Sequence, residues 1–128
     1  TISLAMTAAE TGHLVFGTLH TSGAPETINR IIDVFPPEQQ SQIKAQISNS
    51  VKMVITQRLI KTKDGLNRVA AFEVMKCTPP IQNLIREGKV HQIPSVIQTS
   101  AKDGMIEMKK SLEDLIRGGK IDGSVAKE

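Results

Sequence analysis

The run Thr11-Gly12-His13-Leu14-Val15-Phe16-Gly17-Thr18-Leu19-His20-Thr21 constrains the fold more than any other. Leu14, Val15 and Phe16 are consecutive and apolar, which predicts a short strand over His13–Leu19 covered on both faces. Gly17 removes a side chain just before Thr18, His20 and Thr21. Ligands of open α/β sheets sit at strand ends, so hydroxyls and an imidazole there point to a phosphate or metal site. A covered strand also requires helices, and the remaining sequence supplies them.

Ile2, Leu4, Ala5, Ala8 and Ala9 predict a helix already in progress at Thr1 and ending near Thr11-Gly12. A helix that opens without a cap reads as a cut through a longer chain. Thr21 to Pro25 is dense in turn formers. A helix is predicted from Pro25, with Ile28, Ile31 and Ile32 on one side and Glu26 in its first turn, where the dipole favours it. Phe35-Pro36-Pro37 breaks it, and Ile43, Ile47, Val51 and Val54 predict another helix. Val54–Ile60 is β-rich, Lys63–Asn67 is a hairpin-like turn, and Arg68–Met75 is the returning strand. Thr78-Pro79-Pro80 marks a boundary. Helices are then predicted over Ile81–Glu87 with Gly88 as cap, near Ser95–Thr99, and over Met105–Arg117. In the last, Met105, Met108, Leu112, Leu115 and Ile116 share a face. The pattern predicts a piece of α/β sheet followed by a small helical bundle.

An apolar share of 39% supports a core, and three Phe with no Trp or Tyr make that core aliphatic. The net charge of +3 is dispersed, without the basic stripe and interleaved aromatics that nucleic-acid binding needs. Cys77 is the one cysteine, which excludes an internal disulfide and a four-cysteine zinc site, and reads as a buried inert thiol. No apolar run approaches about 18 residues, so no membrane-crossing helix is predicted and the expected compartment is cytosolic.

His20 is the leading candidate for chemistry. At a strand end between hydroxyls it can donate to a terminal phosphate oxygen and sense its presence; the alternative is a ring satisfied by a backbone carbonyl. His13 lies seven residues earlier, on the opposite face of a regular strand, so a two-histidine metal site is not expected. It reads instead as a residue that orients a helix end or meets Glu10, and His91 as an exposed one. Glu10, Asp33, Glu38 and Glu73 are not paired at an acid–base spacing, which favours surface or capping roles. Arg30 and Arg58 suit either a phosphate or an ion pair. Neither Gly-x-x-x-x-Gly-Lys-Ser/Thr nor Gly-x-Gly-x-x-Gly is present.

Ala8-Ala9-Glu10 with Thr11–Thr21 resembles the histidine box of the secretion and type IV pilus ATPases. The resemblance continues through Thr27–Pro36, Glu38-Gln39-Gln40, Val69–Met75, Asn83–Glu87, Ile97-Gln98-Thr99 and Gly104-Met105. It covers nearly the whole chain and is nearest to the twitching-motility, or pilus-retraction, type. It implies the C-terminal part of a RecA-like P-loop NTPase core over residues 1–77, sheet with flanking helices, and a small all-α C-terminal domain over 78–128. It further implies a hexameric ring that couples ATP hydrolysis, with magnesium, to pilus retraction. The implied location is cytoplasmic, at the inner membrane through the pilus platform machinery. His20 corresponds to the phosphate-sensing histidine and His13 to the other box histidine; Thr18 and Thr21 fall beside the nucleotide. The short turn at Lys63–Asn67 and the single cysteine depart from the zinc-bearing assembly type. Asn83-Leu84-Ile85-Arg86-Glu87 matches the retraction motif, in which Pro80 replaces an alanine and Gln82 an arginine.

In that family the phosphate loop, the aspartate-rich box and the catalytic acidic strand precede the segment matched here. These 128 residues alone are therefore expected neither to hydrolyse ATP nor to hold it or magnesium tightly. The alternative function is a protein-interaction module of a secretion or pilus ATPase with no catalytic role of its own. A central strand without its neighbours also predicts self-association through an open edge.

Overall fold

The computed structural model describes residues 1–127. In chain order it contains α1 (Ile2–Glu10), α2 (Ala24–Asp33), α3 (Gln40–Ser50), β1 (Met53–Lys61), β2 (Arg68–Lys76), α4 (Pro79–Arg86), α5 (Ile93–Gln98) and α6 (Met108–Arg117). Helices around a small sheet make an α/β arrangement. None of these helices is long and apolar enough to cross a membrane.

The two strands form an antiparallel hairpin whose register runs from Met53 opposite Lys76 to Lys61 opposite Arg68. Alternation sends Val54, Thr56, Arg58 and Ile60 of β1 to one face, with Val69, Ala71, Glu73 and Met75 of β2. That face is covered by helices. The other presents Met53, Ile55, Leu59 and Phe72 to solvent. Ile106 lengthens the sheet by a bridge to Val74, with backbone bonds of 2.8 and 3.1 Å.

Two buried clusters hold the chain together. The larger takes Ala24, Ile28 and Ile32 from α2, Ile43 and Ile47 from α3, Met75 from β2, Ile81 and Ile85 from α4, and Ile93 and Ile97 from α5, with Val90 and Met105 between helices. Each fully buried isoleucine contributes about 1.5–3 kcal/mol. The smaller joins Ile60, Ala71, Leu112 and Ile121, seating α6 on the hairpin.

Gly12 ends α1 with φ of 95°. At the end of α4, Gly88 has φ of 73°. There the Gly88 N–H donates to the Ile85 carbonyl at 3.1 Å and the Lys89 N–H to the Leu84 carbonyl at 2.8 Å, a Schellman closure. A Cβ on Gly88 would also stand 3.1 Å from Lys44 Nζ. Gly88→Ala is expected to destabilise the chain by roughly 1 kcal/mol in urea unfolding, and an unchanged midpoint would contradict this account of the cap.

Four expectations differ from the structure. The strand over His13–Leu19 does not form; residues 13–20 join no ladder, and Leu14 and Phe16 are 82% and 88% exposed. A strand is held by its neighbours, and no other described segment lies alongside to bond its backbone or cover its faces. The α3 stripe stops at Ile47, because Val51 terminates the helix and Val54 belongs to β1. Met105 is not on α6, which starts at Met108; it fills the larger cluster instead. Finally, α4 and α5 do not form a separate bundle with α6. They share their core with α2 and α3, so the buried cluster runs across Thr78.

Candidate functional site

The loop from His20 to Gly23 is fastened to the first turns of α2. Pro25 presets the first turn, and Ala24 and Ile28 anchor the inner side of the helix in the core. No side chain within α2 caps its start. Glu73 reaches over from β2, and its Oε1 accepts the Ala24 N–H at 2.8 Å. The capping role expected among the carboxylates is thus filled by a residue far away in sequence. Thr27 turns its hydroxyl back to the Gly23 carbonyl at 2.8 Å and meets Thr21 Oγ1 at 2.6 Å.

On the outer side of α2, Glu26 Oε2 accepts the Ser22 N–H at 2.9 Å and the Ser22 hydroxyl. Arg30 Nη2 lies 3.1 Å from Glu26 Oε1, and Arg30 Nη1 donates to the His20 carbonyl at 2.8 Å. The Ser22 hydroxyl and amide, with the Arg30 charge behind them, hold the Glu26 carboxyl below the ordinary carboxylate range.

An open cleft separates this loop from β1. Leu19, His20, Thr21, Ser22 and Glu26 form one wall; Ile55, Thr56 and Gln57 form the other. The His20 side chain is exposed, and its ring makes no hydrogen bond among the described residues. The structure therefore brings His20 and Thr21 together, and adds Thr56 and Gln57, which the sequence reading had not singled out. Their signal is the polar run Thr56-Gln57-Arg58 that separates the apolar Val54-Ile55 from Leu59-Ile60.

The other predicted positions lie elsewhere. Thr18 is exposed and outside the walls of the cleft. His13 sits at the end of α1, where Nδ1 lies 3.3 Å from both the Ala8 carbonyl and Thr11 Oγ1. That contact is the helix-end role read from the sequence. In the 83–87 motif, Ile85 is fully buried and Leu84 packs beside it. Asn83, Arg86 and Glu87 are exposed, with Arg86 Nη1 on Asn83 Oδ1 at 2.9 Å and Glu87 paired to Lys89 at 3.4 Å. Cys77 is mostly covered, and burial pushes its thiol up to about 11 against the opposing charge of Lys52.

The chemistry open to the cleft is limited. The Thr21 and Ser22 hydroxyls are engaged, and a carboxylate already occupies the start of α2. The His20 imidazole, the Thr56 hydroxyl and the Gln57 amide remain as donors. They fit one edge of an anion site, since a triphosphate needs many convergent donors. No group of three or more metal-ligating side chains is clustered among the described residues.

A family model described as type II/IV secretion system protein matches residues 1–117. The chain is 52% identical over 128 residues to the type IV pilus retractation ATPase PilT of Pseudomonas aeruginosa, covering 100% of this chain and 37% of that protein. It is 51% identical over 127 residues to a twitching motility protein of Neisseria gonorrhoeae, covering 99% of this chain and 34% of that one. The crystal structure of the pilus retraction motor PilT with bound ADP matches 98% of this chain and 34% of its own, with a TM-score of 0.86 and 42% identity. The chain thus spans about a third of the length of these relatives. Matched over nearly all its residues by that family model and by PilT-type relatives, the chain belongs to the type II/IV secretion system protein family.

Proposed function

We propose that these residues serve in a hexameric motor ATPase that couples ATP hydrolysis to type IV pilus retraction. The observation that carries the reading is 52% identity, along the entire chain, to a pilus retraction ATPase. In this reading residues 1–77 belong to a RecA-like ATPase domain and residues 78–128 to the C-terminal domain, the two sharing the larger buried cluster. The motor works in the cytoplasm against the pilus platform at the inner membrane.

His20 faces the terminal phosphate from the open cleft, with Thr18 and Thr21 beside the nucleotide and His13 as an auxiliary residue at the foot of the same segment. ATP with magnesium is held chiefly by residues outside this segment, because the cleft offers few free donors. The bound ADP of the PilT structure supports a nucleotide as the ligand. Hydrolysis shifts the population of domain arrangements and so produces force. The exposed trio Asn83, Arg86 and Glu87 favours a second role for α4 as a contact surface for the pilus machinery.

Phosphate release should be measured from these 128 residues and from a polypeptide of the relatives' full length that carries them. Turnover is expected from the longer polypeptide alone. Turnover by the shorter chain would overturn the assignment of the phosphate cradle to other residues, and an inert longer polypeptide would overturn the ATPase reading.

A further inference from the structure

The His20 loop is held by its backbone, and four groups close a ring around it. Arg30 bonds the His20 carbonyl through one Nη at 2.8 Å and Glu26 through the other at 3.1 Å. Glu26 spends its second oxygen on the amide and hydroxyl of Ser22. The i, i+4 spacing on α2 sets Glu26 and Arg30 on one helix face, directly over the loop. A guanidinium makes its two bonds in fixed directions, so the ring has a single closed geometry.

We propose that Glu26 and Arg30 are positioning residues: their clasp fixes the chain at His20 and Ser22 and thereby sets where the His20 imidazole stands in the cleft opposite Gln57. The proposal rests on the reading of His20 as the phosphate-facing residue. It also assigns Arg30 a role different from direct phosphate contact, because its guanidinium turns to the His20 carbonyl and Glu26 and it is not among the residues that line the cleft.

Both side chains are about half exposed, 51% for Arg30 and 41% for Glu26. Exposed ion pairs add little to global stability, so their loss should loosen the loop without unfolding the chain. The depressed titration of Glu26 keeps the carboxylate charged at neutral pH. It bonds Arg30 and Ser22, and it shares the wall of the cleft with His20. Lysine at position 30 would keep the charge but could not hold both acceptors in the fork geometry.

The test compares Glu26→Ala, Arg30→Ala, Arg30→Lys and the Glu26→Ala/Arg30→Ala double variant in the 128-residue chain. Amide hydrogen exchange and the His20 ring resonances are the readouts. We expect Ser22 to exchange about tenfold faster in Glu26→Ala, with amides of the α2 core unchanged. The His20 and Thr21 resonances should move in the same direction in both single alanine variants. The double variant should be no worse than the larger single change, since one ring can be opened only once, and Arg30→Lys should restore part of the effect. In the longer polypeptide, the same variants should lower kcat about tenfold with the nucleotide KM within about twofold.

Additive effects, an unmoved His20 ring, or a loss of protection spread through α2 would overturn the clasp. So would a raised KM at constant kcat, which would mark Arg30 as a nucleotide contact. A wild-type longer polypeptide without turnover would sink the ATPase reading instead, and the exchange data would still decide whether the clasp exists.

Discussion

His20→Ala in the longer polypeptide is expected to lower ATP turnover by about 10²–10³-fold, the cost of deleting one donor aimed at developing charge. The same change should leave the folding of this segment almost untouched. The His20 ring is exposed and makes no hydrogen bond among the described residues, so removing it opens no cavity and orphans no partner. A large kinetic loss without a thermal one separates a group that acts on a ligand from one that supports the fold. His20→Gln retains a donor at a different reach and should recover part of the rate. His13 provides the contrast: its ring lies beside the Ala8 carbonyl in the last turn of α1, so His13→Ala should fray that helix and slow turnover less. Turnover within about twofold of wild type in His20→Ala would remove the imidazole from the mechanism.

Local pattern carried the sequence reading furthest where a segment's partners lie close in the chain. The hairpin was legible because Val54–Ile60 and Arg68–Met75 are joined by a short Asp-Gly-bearing turn that determines their register. The starts of α2 and α4 were legible from Pro25 and Pro79-Pro80, and the end of α4 from Gly88. Legibility failed where position depends on distant partners. Leu14-Val15-Phe16 has the composition of a covered strand, but a strand forms only against neighbours, and none of the described residues supplies them. Met105 fits the spacing of α6, yet the larger core competes for it and wins. At the site, the resemblance pointed to His20. The groups that hold its loop were hidden because Glu73 arrives from forty-nine residues away to cap α2. Glu26 reads from sequence as a first-turn acid favoured by the helix dipole, and Arg30 suits either a phosphate or an ion pair. Nothing in their spacing announces that Arg30 also takes the His20 carbonyl.

Ile28→Ala is expected to cost about 2–5 kcal/mol in chemical unfolding, the range for truncating a fully buried aliphatic side chain. Against a total of about 5–15 kcal/mol for a domain, that is enough to lower the thermal midpoint by roughly 10 °C. Ile28 is 0% exposed at the centre of the larger cluster, where α2 meets α3, α5 and β2. Phe16→Ala is the matched control, because a larger side chain is removed from a position that is 88% exposed. Its effect should stay within about 0.5 kcal/mol. Equal losses for the two would mean that the Leu14–Phe16 segment is covered in solution, by a second copy or by a rearranged sheet, and that the open arrangement is incorrect. The comparison also bears on the site, since Ile28 lies on α2 between Glu26 and Arg30. A cavity beneath that turn should loosen the grip on the His20 loop, so Ile28→Ala should accelerate Ser22 exchange together with the core amides. Opening the clasp from outside should accelerate Ser22 alone, and the difference between those two exchange patterns separates support of the helix from positioning by its outer face.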